Sequence, residues 1–341
     1  MSRRQCVLDA LNHRNSERVA WAIDLTSQAN DNLVRYTGDL QIAEKISGDI
    51  LAAPCTGAER QPVPGKPGYF EDEFGVVWNC NGADKDIGVV DKYLIEDIED
   101  YDYQFPEPDE TKIRNVMEGM LKNRGDKFTV ASFGFSMFER SWTLMGMEDV
   151  LVAMITNPEE LEELYDKICD YYMRLLDIAL EYDVDAIRFG DDWGQQRGLI
   201  MGPDHWRRFI KPRMARMYAR VKASGKYIIQ HSCGDCREIF PDLIEIGLDC
   251  YNTFQPEIYD IKEMKRLYGD KITFYGAIST QQVLPYMKPD ELQKEIVRIM
   301  NILKDNGGLI ISPTHAVPFD VPAENILAMA EVFENQKRFL G

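Results

Sequence analysis

The sequence has little positive charge for its length. Among its 341 residues, 39 are Lys or Arg and 57 are Asp or Glu, which gives a formal net charge of −18. Proteins that bind nucleic acids use a basic surface to neutralise the phosphates. The shortage of basic residues therefore argues against a nucleic-acid partner and favours a small-molecule site or a protein partner.

Long apolar runs are also missing. A helix that crosses a bilayer needs roughly 20 consecutive apolar residues, and no stretch of this chain is that apolar. The opening segment, Met1 to Cys6, lacks the apolar core of a signal peptide. We therefore expect a cytoplasmic protein, in which the seven cysteines are reduced and a functional one is a metal ligand or a nucleophile.

Several common catalytic signatures are absent, whereas an alternation of strands and helices is present. There is no phosphate-binding loop, no glycine-rich dinucleotide fingerprint after an early strand, and no Gly-x-Ser-x-Gly elbow. From about Lys127 onward, apolar runs typical of parallel strands buried on both faces alternate with amphipathic helical segments. The six predicted strands are 128–133, 186–190, 227–231, 250–254, 272–276 and 309–312.

This alternation predicts an α/β fold with a parallel sheet. A strand at 19–24 and one more before Lys127 would complete the eight of a (β/α)8 TIM barrel. The missing dinucleotide fingerprint weakens the competing open, doubly wound sheet. We predict a single domain over residues 1–341. Residues 54–108, rich in Pro, Gly and acidic residues, would form an insertion beside or over the barrel mouth.

Metal-ligand residue types follow two of the predicted strands. His231 and Cys233 are two residues apart, so at strand spacing they share one face and can both reach a zinc ion at about 2.0–2.3 Å. His315 follows a later strand at the corresponding end. A set of His, Cys and His with one open position would suit a catalytic zinc site, whereas the alternative is a buried Cys beside a hydrogen-bonded His.

Acidic and aromatic residues occur at the same strand ends. Asp191 and Asp192 follow Gly190, and we expect one to act as metal ligand or acid–base group and the other to cap the following helix. Glu139 and Arg140 form either an internal ion pair or a substrate-binding pair, since Arg suits carboxylates and phosphates. Further candidates for substrate binding are Phe135, Trp142, Trp193 and Gln255.

Five stretches carry a family resemblance. They are GDIL at 48–51, FGF at 133–135, WTLM at 142–145, GDDWG at 190–194 and HSCG at 231–234. In this order, over nearly the whole chain, they resemble the uroporphyrinogen decarboxylase superfamily, which adopts the (β/α)8 barrel. One branch decarboxylates uroporphyrinogen without a cofactor. The other consists of zinc methyltransferases that pass methyl groups to or from a corrinoid, coenzyme M or a related thiol.

The resemblance favours the methyltransferase branch. The decarboxylase branch carries an Arg-Gln-Ala-Gly-Arg signature, but residues 28–30 here read Gln-Ala-Asn and both arginines are missing, although Asp49 takes the position of that branch's essential aspartate. The methyltransferase branch has a His-x-Cys pair, matched by His231 and Cys233, and a later Cys, whose place His315 takes. An imidazole instead of a thiolate makes zinc a harder Lewis acid, suited to polarising an oxygen.

The resemblance therefore implies a zinc-dependent methyltransferase that demethylates a small methoxylated substrate and passes the methyl group to a corrinoid (cobalamin) protein. Asp191 or Asp192 would complete the zinc shell or protonate the leaving oxygen, and Arg140 would orient a substrate carboxylate. The resemblance is also compatible with a homodimer. One alternative is a cofactor-free decarboxylase of a small or tetrapyrrole acid that depends on Asp49. Another is a non-catalytic member that binds a tetrapyrrole or a corrinoid protein.

Overall fold

A computed structural model describes residues 1–56, 59–82 and 86–340 and contains one sheet of eight parallel strands. Two small antiparallel sheets, of four and of two strands, accompany it. The strands in chain order are β1 (Ala20–Trp21), β2 (Ile50–Pro54), β3 (Gln61–Pro62), β4 (Tyr69–Glu71), β5 (Val77–Asn79), β6 (Val89–Lys92), β7 (Phe128–Phe133), β8 (Ala186–Gly190), β9 (Gly194–Gln195), β10 (Gly198–Leu199), β11 (Tyr227–His231), β12 (Cys250–Phe254), β13 (Thr273–Ile278) and β14 (Leu309–Pro313).

Helices connect successive strands of the large sheet. Its order is β1-β14-β13-β12-β11-β8-β7-β2, so strands that follow one another in the chain lie side by side, as in a (β/α)8 barrel. The fold predicted from the sequence is confirmed. The helices are α1 (Arg3–Leu11), α2 (Ser27–Thr37), α3 (Ile42–Lys45), α4 (Glu110–Lys122), α5 (Met137–Met145), α6 (Met147–Thr156), α7 (Pro158–Ala179), α8 (Pro203–His205), α9 (Lys211–Ala223), α10 (Phe240–Glu245), α11 (Ile261–Tyr268), α12 (Pro289–Leu303), α13 (Ala323–Glu334) and α14 (Gln336–Leu340).

The interior of the barrel is a packed core. Side chains alternate between the two faces of a strand, and the inward set includes Val130, Ile229 and Ile310, all buried. Cys6 and Val7 of α1 belong to the same cluster and close the amino-terminal end of the barrel. The space for a ligand therefore lies at the carboxyl ends of the strands, where Arg188, His231 and His315 line a cavity. Among the described residues, no helix is both long and apolar enough to cross a membrane.

The barrel closes between β1 and β2 through a carboxylate. Asp49, fully buried at the start of β2, accepts two hydrogen bonds of 2.6 Å from the guanidinium of Arg18 and one of 3.0 Å from the Trp21 backbone N–H. The Asp49 N–H in turn donates to the Trp21 carbonyl at 2.8 Å. Asp49 therefore lies at the amino-terminal end of the barrel, not at the mouth, and the catalytic position expected for it is wrong.

A four-stranded antiparallel sheet, β3 to β6, lies between β2 and α4 in the chain. A buried ion pair attaches it to the barrel: Asp72, in the turn after β4, accepts from Arg140 of α5 at 2.8 Å. Asp72 also accepts from the Trp78 indole and from the backbone N–H groups of Phe74 and Val76. Because all these donors converge on one carboxylate, the inserted sheet is held firmly against α5.

We predict that Asp49→Asn weakens barrel closure. Removing one partner of a buried ion pair leaves the other charge uncompensated, so the free energy of unfolding should fall by roughly 3 kcal/mol. Urea unfolding followed by circular dichroism measures the change. The matched control is Asp39→Asn, which breaks an exposed pair with Lys45 and should shift the midpoint far less. Equal shifts for the two variants would contradict a structural role for Asp49.

Candidate metal centre

Three ligand-type side chains converge at the barrel mouth. The ligand atoms of His231, Cys233 and His315 all lie within 4.8 Å of one another. The Cys233 Sγ is 3.8 Å from the His231 Nε2, and the two imidazole centroids are 5.6 Å apart. Ligand atoms around a tetrahedral zinc ion are roughly 3.3–3.8 Å apart for bonds of about 2.0–2.3 Å. Small side-chain movements would therefore let all three residues bind one ion.

Asn252 orients the His231 imidazole. It lies opposite His231 on the neighbouring strand β12, and its Oδ1 is 2.6 Å from the His231 Nδ1. The Asn252 Nδ2 donates to the Tyr275 carbonyl at 3.1 Å, so its oxygen faces the imidazole and accepts the Nδ1 proton. In this tautomer the Nε2 lone pair is free and points toward Cys233. A metal bound at Nε2 requires this form of the imidazole. Burial lowers the pKa of His231 and favours this neutral form.

The loop that carries Cys233 is held by side chains from two neighbouring strand ends. The Cys233 N–H donates to the Asp192 carboxylate at 2.8 Å, and the Gly234 N–H donates to the Gln255 Oε1 at 2.9 Å. Gln255, predicted to bind substrate, instead positions this loop. Burial, and then the charge of Asp192, raise the pKa of the Cys233 thiol. A bound cation would offset both effects.

The two adjacent aspartates have different surroundings. Asp191 is fully buried and accepts from the Trp193 indole and from two backbone N–H groups at the start of α5. It therefore caps α5 of the preceding strand–helix unit and not the following helix that the sequence predicts, because the start of α5 lies beside the end of β8. Burial raises the pKa of Asp191 to about 7. Asp192 is turned toward the metal cluster, with its Oδ1 3.7 Å from the His231 Nε2. Asp191 is thus a structural cap, and the role of metal ligand or acid–base group stays a prediction for Asp192.

Glu139 lies beside the cluster, whereas its neighbour Arg140 does not. Burial, then the charges of Asp192 and Asp191, raise the pKa of Glu139 well above its usual range. Arg140 is directed elsewhere: it pairs with Asp72, and its guanidinium stacks 3.9 Å above the centre of the Phe74 ring. The predicted substrate-orienting role of Arg140 at the mouth is therefore wrong, because its side chain points into the inserted sheet.

The aromatic candidates also lie away from the donors. Trp193 is fully buried against Trp206, with ring centroids 5.3 Å apart. The ring centroids of Phe135 and Trp142 are 6.2 Å apart. Phe135 also lines a second cavity of about 380 Å³, which lies beside Arg140 and under the inserted sheet. None of the three lines the cavity that contains the histidines. Trp193 therefore belongs to the core, and Phe135 packs against Trp78 of the inserted sheet.

A cavity of about 360 Å³ opens beside the two histidines, a size near the lower end of typical ligand pockets. Sequence reasoning missed two of its charged lining residues, Arg188 and Asp24. Arg188 lies inside an otherwise apolar strand, so the sequence pattern assigns it only to that strand. Its distance of two residues from Gly190, at the strand end, was the available signal, because the two positions share the inward face.

The fold and the mouth together define a class of protein. Eight parallel strands whose carboxyl ends bring polar donors to one cavity are the arrangement of TIM-barrel enzymes. The sequence profile of the family described as "Uroporphyrinogen decarboxylase (URO-D)" matches residues 79–336, which is most of the chain. The protein therefore belongs to the uroporphyrinogen decarboxylase family.

The relatives include two kinds of enzyme. A methylated-thiol–coenzyme M methyltransferase of Methanosarcina mazei is 19% identical over 54% of this chain and 47% of its own length. A uroporphyrinogen decarboxylase of Saccharophagus degradans is 23% identical over 51% of this chain and 48% of its own. The chain thus spans about half the length of these two relatives. A solved methyltransferase from Methanosarcina mazei shares the fold, with a TM-score of 0.74, 17% identity and 99% of each chain covered.

We predict that Gly194→Ala disrupts the metal centre. A Cβ at Gly194 would lie 2.6 Å from both the Cys233 carbonyl oxygen and the Asp235 backbone nitrogen, so the loop that carries Cys233 must move. Zinc affinity, measured by competition with a chromophoric chelator, should fall roughly 10- to 100-fold, as for other changes around metal ligands. Gly119→Ala is the control, because a Cβ there meets nothing within 4 Å. Unchanged zinc affinity in Gly194→Ala would show that the packing of Gly194 against the loop of Cys233 does not control the site.

Proposed function

We propose that this protein is a zinc-dependent methyltransferase of a corrinoid-linked system. It would remove the methyl group from a small methoxylated substrate and pass it to a corrinoid (cobalamin) held by a partner protein. The observation that carries the proposal is the convergence of His231, Cys233 and His315, with His231 held by Asn252 in its metal-binding tautomer. The family's known methyltransferases support it.

The three donors suit zinc in composition and spacing. Two imidazoles and one thiolate leave a fourth position open, as in catalytic zinc sites. Zinc bound there would supply a Lewis acid that polarises the substrate oxygen. His231 and His315 border the 360 Å³ cavity, so a small substrate in that cavity would lie against the ion. Asp192 lies beside this position and is the candidate for an additional ligand.

A neighbouring carboxyl group can serve the leaving group. When a methyl–oxygen bond breaks, the oxygen must take up a proton, because an alkoxide or phenoxide leaves poorly. Burial, and then the charges of Asp192 and Asp191, raise the pKa of Glu139 well above its usual range, so its carboxyl group favours the protonated form. We assign Glu139, in place of Asp191, as the proton source.

The structure offers less support to the cofactor-free decarboxylase. That alternative depended on Asp49, which lies at the amino-terminal end of the barrel in an ion pair with Arg18. The mouth cavity is also lined by Asp24, whose negative charge would repel a polycarboxylate. Neither feature suits a porphyrinogen with many acidic arms.

The first prediction from this proposal concerns zinc content. The purified protein should hold about one zinc ion per chain, and Cys233→Ser or His315→Ala should weaken zinc binding on the order of 100-fold or more, because each removes a direct ligand. Elemental analysis after dialysis provides the measurement. Cys236→Ser is the matched control, since Cys236 is buried and bonded to Ser232 rather than among the donors. Absence of zinc from the wild-type protein would refute the proposal.

The second prediction concerns the reaction. With free cob(I)alamin as acceptor, the protein should convert a methoxylated substrate into its hydroxyl form and methylcobalamin, which is followed by its visible absorbance. In this reaction the methyl–oxygen bond breaks, a methyl–cobalt bond forms, cobalt is oxidised from Co(I) to Co(III), and the oxygen takes a proton. A zinc chelator should abolish turnover and added zinc should restore it. Decarboxylation that survives the chelator would favour the alternative instead.

A further inference from the structure

We infer that Arg188 binds a carboxylate group of the substrate, so that the molecule demethylated at this site is a small monocarboxylic acid. The methyl-transfer part of this statement rests on the proposed function. The carboxylate site itself depends on the position of Arg188, on its lack of a counter-charge and on the charge of Asp24, each of which is independent of zinc.

Arg188 and two of the three proposed metal donors line one cavity. On β8, Arg188 is two residues before Gly190, and both line the 360 Å³ cavity together with His231 and His315. The strand register confirms the inward direction, because Gly190 lies opposite His231 on β11. A small ligand in this cavity would therefore contact the guanidinium and the metal position at the same time.

The Arg188 guanidinium lacks a counter-charge within the described part of the chain. Its Nε donates to the Ser132 Oγ at 2.9 Å, and no carboxylate among the described residues comes within 4.0 Å of it. The buried arginine Arg140 and the half-buried Arg18 each have an aspartate partner instead. Leaving a charged group inside a barrel without a partner is costly. This cost would be offset if a ligand supplies the negative charge.

The chemistry of this arginine selects the ligand group. Because Ser132 accepts from Nε, the side chain is held while its terminal NH2 groups stay available. A planar guanidinium matches a planar carboxylate through paired hydrogen bonds. Arg188 therefore suits the task that the sequence assigned to Arg140, whose guanidinium is occupied by Asp72.

Asp24 limits the number of charges on the ligand. It lines the same cavity and has no ion-pair partner among the described residues. Tyr275 lines the same cavity, and burial, then the charge of Asp24, raise its pKa, whereas the charge of Arg188 lowers it. A ligand with one carboxylate can lie near Arg188 and away from Asp24. A second carboxylate in so small a cavity would be repelled.

The test compares acids with their neutral amides. Calorimetry on the zinc-loaded and zinc-free protein would use methoxyacetate, 3-methoxypropionate, benzoate and 4-methoxybenzoate, each beside its primary amide, with benzenesulfonate and terephthalate as further probes. We expect at least one acid to bind tenfold or more tightly than its amide. Arg188→Gln should remove that preference. Arg188→Lys should keep part of it, because lysine retains the positive charge but lacks the paired N–H donors of the planar guanidinium.

The controls separate charge recognition from folding. Arg266→Gln removes an exposed arginine on α11 and should bind the acids as the wild type does. Unchanged amide binding by Arg188→Gln would show that the cavity remains intact. The inference is overturned if no acid binds more tightly than its amide, if Arg188→Gln retains the preference, or if benzenesulfonate or terephthalate binds more tightly than benzoate. If the purified protein holds no zinc but still prefers the acids to their amides, only the proposed function is refuted.

Discussion

Closure of the barrel depends on one buried carboxylate. Asp49 joins β1 to β2 by accepting from Arg18 and from the Trp21 backbone, where the described residues of these two strands form no regular ladder. A parallel barrel places the carboxyl ends of its strands in one ring only when it closes. The convergence of His231 from β11 with His315 after β14 therefore depends on a contact at the opposite end of the molecule.

The mouth is built by neighbours that position one another. Asn252 on β12 sets the tautomer of His231 on β11, and Asp192, just after β8, holds the backbone of Cys233. Asp191 is turned the other way and caps α5, which fixes the start of that helix under the mouth. Adjacent residues of one strand end thus have separate tasks, because alternate side chains leave a strand on opposite faces.

Local charge at the mouth differs from the charge of the chain. The protein has a net charge of −18, yet the cavity contains the guanidinium of Arg188 and a cluster suited to a cation. Inside a barrel, nearby groups dominate because solvent screens them less. An anionic substrate is therefore compatible with an acidic protein, provided that its single charge lies near Arg188 and away from Asp24.

The sequence by itself located seven of the eight barrel strands, though not β2, and placed His231, Cys233 and His315 at strand ends, because alternation and apolar runs are local properties. Only the tertiary structure decided which charges meet. Arg140 pairs with Asp72, 68 residues earlier, so it does not reach the mouth, whereas Arg188 inside an apolar strand does. Asp49 likewise takes the sequence position of the decarboxylase branch's essential aspartate, but it lies at the amino-terminal end of the barrel, away from the mouth. Ion-pair partners are set by long-range packing, which no local pattern records.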